Sequence, residues 1–511
     1  MYEPRAHSTP WWDVLFISIV TSGQFNGQGL IGSTMVPVES IARGMLDAAP
    51  REYGWMNGAV LHSVRPPFRV FSLMRPWNRA AASYALTAGL FVLVGGRLGD
   101  KYSSKVMWLV GYLVVAAFNL GIGFASSAIA FDVLRAFAGI GTAFIVPNAI
   151  ALLSKQYEPG IQRTIAFSSF GALAPIGFQV HAVFASLVAE RIGPRWIFWL
   201  EAIFCAVCGI AGSAIIPHDD RDPSVNIDWI GVVLGISGMI LFNFAWNQAP
   251  LVSWSTAYVP VLLAVGLALV FAFFLWQKRL GDRALLPTVM FTKDVVGTCI
   301  ALWFGWMSFG IFLFYTVNFI RDIRGYHQPL VICAQLATLA PLGALAALLV
   351  IYLSHRRVPG HYILAASCLC FCIGNVLMGV TPRSQTFWAM VFPAEIIIVF
   401  GPDLSFASGA LIISNSVPRS MLGIGGGLMN LITNYSISIG LGIAGTVEVY
   451  TNDRGRDVLQ GYRSAFWFAS CVSFVGLLLV LSVVRVRGGH GDEGGNAGER
   501  ALKKATPLDE A

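Results

Sequence analysis

Glu395, Asp403, Glu201, His181, Asp132 and Arg135 are titratable or charged side chains set inside otherwise apolar runs. A carboxylate or imidazole shielded from water can exchange a proton near neutral pH, and a guanidinium in an apolar segment demands a partner. Groups of this kind can couple proton movement to a change of shape. Glu395 and Asp403 are eight residues apart, which on a helix sets them about 80° from a common face. Pro402 beside Asp403 distorts that turn. Asp132 and Arg135 are i,i+3 neighbours able to pair. Uncharged amides form a second pattern. Gln24 with Gln28, and Asn243 with Asn247 beside Trp246, are spaced i,i+4 and share helix faces. They either hydrogen-bond a solute, with Trp246 as a stacking surface, or bond across neighbouring helices.

The elements that hold these groups must be membrane helices. Of 511 residues, 56% are hydrophobic and 12% charged, against about 25% charged in an average soluble protein, so a water-soluble chain is excluded. Windows of about 19 residues place spans near 12–38, 80–96, 106–125, 131–153, 165–189, 196–216, 229–247, 257–277, 295–319, 330–352, 361–380, 385–413, 423–447 and 464–484. Fourteen spans put both termini on one side. With the termini in the cytosol, that side carries 19 Lys and Arg against 14 opposite, Arg135 lying within a span; the positive-inside rule favours this orientation. The net charge of +7 is accordingly a matter of membrane side and not of nucleic-acid binding. All eight cysteines fall in apolar runs, where Cys acts as a small hydrophobe, so neither a disulfide framework nor a metal centre is expected. No cofactor is expected either.

Between the second and third spans lies Gly95-Gly96-Arg97-Leu98-Gly99-Asp100-Lys101-Tyr102-Ser103-Ser104-Lys105. This loop resembles the GxLxDRxGRR loop of the major facilitator superfamily, with Gly99, Asp100 and Lys101 matching its core. The resemblance implies a gating loop of Arg97, Gly99, Asp100, Lys101 and Lys105, in which the carboxylate latches onto an opposing helix N-terminus, a contact worth up to ~2 kcal/mol. Asp132, Arg135, Gly139 and Gly141 are similar to the superfamily's RxxxGxG pattern. Gly171, Pro175 and Gly177 resemble the antiporter motif of exporters, with His181 where a further Gly is expected. Phe242 to Trp254, FPAEIIIVFGPDLSF and NYSISIGLGIAGTVE are similar to the fourteen-span drug:proton antiporters, especially their fungal aminotriazole-resistance branch.

The expected architecture is an all-α integral membrane protein of the major facilitator fold. Residues 1–11 form a cytosolic N-terminus and 12–216 a six-helix bundle; 217–294 carry two additional central spans, 295–484 a second six-helix bundle, and 485–511 a disordered tail. Within the first bundle, residues 57–80 are Pro-broken and Arg-rich, which suggests an insertion or translated intron. The resemblance implies a proton-coupled exporter of small organic molecules working by alternating access. Its partners are a small-molecule substrate, protons and membrane lipid, and it is a monomer by default, at the plasma or the vacuolar membrane. Import of a small nitrogenous or inorganic solute such as ammonium is the rival within transporters, and a non-transporting membrane sensor the rival from another class. An enzyme is not expected, because the eight histidines are scattered.

Overall fold

The computed structural model describes residues 10–45 and 77–484, apart from loop positions 159–160, 220, 223–224, 282–283, 288–289, 357 and 418–421. The expected tail at 485–511 and all but the last four residues of the expected insertion at 57–80 lie outside the described residues. Within hydrocarbon every backbone N–H and C=O must find an internal partner, which leaves helices as the way for segments this apolar to cross.

The N-terminal half consists of α1 (Pro10–Met35), the short α2 (Val38–Met45), α3 (Trp77–Leu90) continued by α4 (Val92–Tyr102), α5 (Ser104–Phe124), α6 (Ala128–Gln156), α7 (Ile161–Arg191) and α8 (Arg195–Ile215). A central pair follows, α9 (Trp229–Val252) and α10 (Tyr258–Leu280). The C-terminal half runs through α11 (Lys293–Asn318), α12 (Pro329–Gln335), α13 (Leu339–His355), α14 (Gly360–Val380), α15 (Val391–Ser416), α16 (Leu422–Thr451) and α17 (Val458–Val483). Eleven of the described helical segments are long and apolar enough to cross a membrane. The rods Pro10–Met35, Trp77–Tyr102 and Leu422–Thr451 fall outside that set. Trp77–Tyr102 is interrupted at Phe91 into helices of 14 and 11 residues, while Pro10–Met35 and Leu422–Thr451 carry the amides Gln24, Gln28, Asn430 and Asn434.

Two features set the geometry around the centre. α1 lies directly on α7: a Cβ added at Gly177 would meet the Phe25 carbonyl oxygen at 2.2 Å, and one at Gly29 would meet the His181 ring at 2.2 Å. Small residues let these backbones approach closely. The two halves meet through α7 against α13 and through α16 against α3. At the end away from the termini, Gln179 Nε2 donates to the Cys333 carbonyl at 3.0 Å, and His327 Nδ1 lies 3.4 Å from Glu39 Oε2.

The central pair fastens to the C-terminal half. Asn243 Nδ2 donates to Ser438 Oγ at 2.9 Å, Asn247 Nδ2 donates to the Asn243 side-chain oxygen at 3.0 Å, and the Tyr435 hydroxyl donates to the Met239 carbonyl at 2.8 Å. Only 17% of the most apolar window of α10 is buried, so this helix faces outward to lipid.

Candidate functional site

Between the halves a narrow cleft is lined by Gln24 and Gln28 from α1, Tyr84 from α3, Thr142 from α6, and Asn430 and Asn434 from α16. The i,i+4 spacing of Gln24 and Gln28 does bring them to one wall. Asn430 and Asn434 obey the same spacing on the opposite wall, and that rule, applied to α16, would have found them. Asn243, Asn247 and Trp246 lie elsewhere: the two amides bond to each other and to α16, and Trp246 meets Trp254 edge to face at 4.9 Å between ring centres.

Behind Tyr84 the structure gathers three of the expected charged residues. Arg135 is fully buried. It donates from Nη2 to the Leu30 carbonyl at 2.8 Å and to Thr34 Oγ1 at 3.0 Å, and its guanidinium lies 4.7 Å from the Tyr84 ring centre. Its hydrogen bonds run to α1, and Asp132, three residues earlier on the same helix, acts on it through its charge. His181 Nε2 faces Glu201 Oε2 at 3.5 Å, both side chains buried. The other ring nitrogen, Nδ1, sits 2.9 Å from the Gly177 carbonyl. A carbonyl can only accept, so Nδ1 carries a hydrogen, and the edge between Nε2 and Glu201 is where one further proton can reside.

In the C-terminal half Glu395 is fully buried. Thr338 Oγ1 donates to its Oε2 at 3.0 Å, while Oε1 has no hydrogen-bond partner among the described residues. A lone carboxylate oxygen in apolar surroundings is costly, so this oxygen is a natural place for a proton. Asp403 is half-buried and flanks Gly343 together with Pro175 of α7: a Cβ at Gly343 would lie 2.9 Å from Pro175 and 3.2 Å from Asp403 Oδ2. Pro175 therefore packs across the interface between halves, whereas Gly171 has open space around it. Glu448, not foreseen from the sequence, accepts from the Tyr315 hydroxyl at 2.8 Å.

The loop joining α4 to α5 shows a different arrangement from the one its motif implies. Asp100 is exposed, and the carboxylate seated on a helix N-terminus is Asp219, in the segment after α8. Asp219 is 2% exposed. It accepts from the Ser104 and Lys105 backbone N–H groups at 2.8 and 3.1 Å, from Lys155 Nζ at 2.7 Å, and from the Ser103 hydroxyl. Burial alone would raise the Asp219 carboxyl, but the bonds from Lys155 and Ser103 outweigh it and hold the group below the usual carboxylate value. Ser103 adopts φ +117°, a conformation natural to the Gly of the resembled motif, and its side chain caps α5 by accepting from Val106 N–H at 3.2 Å. Gly99 admits the Asn148 side chain, which a Cβ would meet at 1.7 Å. Lys105 Nζ donates to the Ser213 and Ile216 carbonyls at 2.9 and 2.6 Å, closing the last turn of α8.

The model of the Major Facilitator Superfamily matches residues 17–442. The chain belongs to the Major Facilitator Superfamily. It is a multi-pass membrane transporter and not an enzyme. It is 37% identical over 480 residues to a low affinity ammonium transporter of Saccharomyces cerevisiae, covering 92% of this chain and 88% of the relative. It is 35% identical over 420 residues to the aminotriazole resistance protein of the same yeast, covering 80% and 77%. Efflux pump terJ of Aspergillus terreus is 35% identical over 409 residues, covering 78% of each. Among solved structures, a peptide transporter POT in complex with sulfate superposes with a TM-score of 0.64 over 96% of this chain and 98% of that one, at 13% identity; at that identity the likeness concerns the fold.

Proposed function

We propose that this transporter exchanges protons for a small organic solute and exports the solute by alternating access, with the plasma membrane as its place and both termini in the cytosol. The observation that carries the reading is the polar cleft walled by both halves, with buried titratable groups in each half: the His181 and Glu201 pair in the N-terminal half, and Glu395, bonded by Thr338, in the C-terminal half. A site near mid-membrane at the junction of the halves suits a rocking carrier. Export is supported by the likeness to efflux pump terJ and by the Gly171 to Gly177 resemblance; the excess of Lys and Arg on the terminal side supports the orientation.

Uptake of a small nitrogenous solute is the second reading, favoured by the likeness to a low affinity ammonium transporter over 92% of the chain. Both readings are tested by reconstituting the full chain in vesicles of known orientation and imposing a pH gradient, with a panel of toxic organic compounds and ammonium. Proton-driven accumulation in inside-out vesicles supports export, and accumulation in right-side-out vesicles supports uptake. Accumulation that ignores the gradient overturns the proton coupling.

A further inference from the structure

We propose that residues 319–338 form a jointed strap that opens and closes the end of the molecule away from the termini by hinging on the C-terminal half, over and above any rocking of the halves as rigid bodies. Hinging of this kind goes beyond the proposed exchange and holds whatever the solute or the coupling ion.

The segment consists of short pieces where one uninterrupted helix would have been stiff. After Asn318, α11 widens into a π turn over Phe319–Ile323, closed by the Arg324 N–H, which donates to the Phe319 carbonyl five residues back at 3.2 Å. Gly325 follows at φ +76°, a conformation open to Gly at no steric cost. Pro329 then begins the seven-residue α12, which tightens into a 3-10 turn over Leu336–Thr338 before α13 starts. Turns of these two kinds within helices often mark hinges and functional sites, and one stands at each end of the strap.

Its contacts fall into two sets. Toward the N-terminal half, Gln179 Nε2 donates to the Cys333 carbonyl at 3.0 Å, Ser186 Oγ lies 3.4 Å from Cys333 Sγ, and His327 Nδ1 lies 3.4 Å from Glu39 Oε2. Gln179 and Ser186 are seven residues apart and share one face of α7; both are buried, as is Cys333. Toward the C-terminal half, the Tyr462 hydroxyl of α17 donates to Asp322 Oδ2 at 2.6 Å, and Thr338 Oγ1 donates to Glu395 Oε2 of α15 at 3.0 Å. Tyr462 thus pins the π turn and Glu395 the 3-10 turn, and the residues that touch the other half lie between the two pins. Halves moving as rigid bodies would keep both pins made in every state, so cutting a pin would not change how often this mouth opens. In a strap, freeing either joint loosens residues 327–333 as well, and the buried Cys333 thiol meets water more often.

The test is the rate at which a membrane-impermeant, charged methanethiosulfonate modifies Cys333, read by mass spectrometry of the peptide that carries it. The full-length chain is reconstituted in vesicles of known orientation and the reagent is added on the face opposite the termini, dilute enough that the rate tracks the open population. Gln179→Leu, which cuts a bond between the halves, is expected to speed modification about fivefold, the loss of roughly one hydrogen bond. Tyr462→Phe and Thr338→Val, which cut bonds within the C-terminal half alone, are expected to speed it by a similar factor. Both keep the size of the side chain, and should one fail to fold, the other decides. Rates for Tyr462→Phe and Thr338→Val within twofold of the parent would overturn the strap and leave rigid rocking. Faster modification of Cys333 from the terminal side, or none even in Gln179→Leu, would overturn it too.

Discussion

Asp219→Ala removes one buried carboxylate and with it four donors' acceptor at the head of α5. The backbone N–H groups of Ser104 and Lys105, bonded at 2.8 and 3.1 Å, are left near a helix start where some water can reach, at about 1 kcal/mol each, the low end for an unsatisfied group. Lys155, with a third of its side chain exposed, loses a pairing worth under about 1 kcal/mol because solvent screens it. Ser103 loses the bond that helps hold its φ of +117°. Together these come to roughly 3 kcal/mol, the lower end for breaking a buried ion pair. With about 2 °C per kcal/mol for a large chain, the melting midpoint should fall by about 6 °C. A thiol-reactive fluorogenic dye reads it, since the cysteines are unbridged and Cys205, Cys208, Cys333 and Cys368 are buried until unfolding. The pH dependence has a definite sign. The Asp219 carboxyl is held below its usual value, so its stabilisation is complete above the ordinary carboxylate pKa of about 3.9 and is lost as pH falls through the lower folded value. The gap between Asp219→Ala and the unmodified chain should therefore stay constant from pH 7 to 5 and close only under stronger acid. Ser103→Gly should change the midpoint by less than about 2 °C, because relief of backbone strain offsets the lost cap. A midpoint for Asp219→Ala within 1 °C of the parent, or a gap that closes between pH 7 and 5, would refute the reasoning.

Gly177→Ala places a methyl 2.2 Å from the Phe25 carbonyl, and over-packing of this kind costs about 1–3 kcal/mol; transport should drop several-fold while Gly171→Ala, in open space, keeps the parental rate. Glu395→Gln retains the Thr338 bond and should abolish accumulation driven by a pH gradient while solute binding persists; full driven transport by both Glu395→Gln and Asp403→Asn would exclude these carboxylates as the coupling groups. Glu201→Gln should alter the pH profile of transport, and an unaltered profile would leave the His181 and Glu201 contact a purely structural one.

Hydropathy windows made most of the helices legible, because a bilayer enforces about 20 apolar residues per crossing. The windows end early, at 131–153 for a helix that runs Ala128–Gln156, since helices continue past the hydrocarbon with polar turns. Helix periodicity groups Gln24 with Gln28 on one face of α1, but it cannot say which other helix a face meets; Asn243 and Asn247 have the same spacing and turn to α16. Asp219 was hidden for a related reason. It stands in a short polar stretch, His218-Asp219-Asp220, that reads as solvated loop, and only the fold brings it 64 residues back in sequence to Lys155. The meeting of His181 with Glu201 was equally invisible, as it depends on the crossing of α7 and α8.

The bonds from Asn243, Asn247 and Tyr435 that tie the central pair to α16 make α9 and α10 passengers of one half. Under the proposed rocking of the halves, this outrigger would sweep sideways through the bilayer, and acyl chains would have to flow around it on every cycle. That mechanism would tie turnover to lipid fluidity, and a dye on the loop at Ser253 to Ser255 would watch the C-terminal half move from a point far from the cleft.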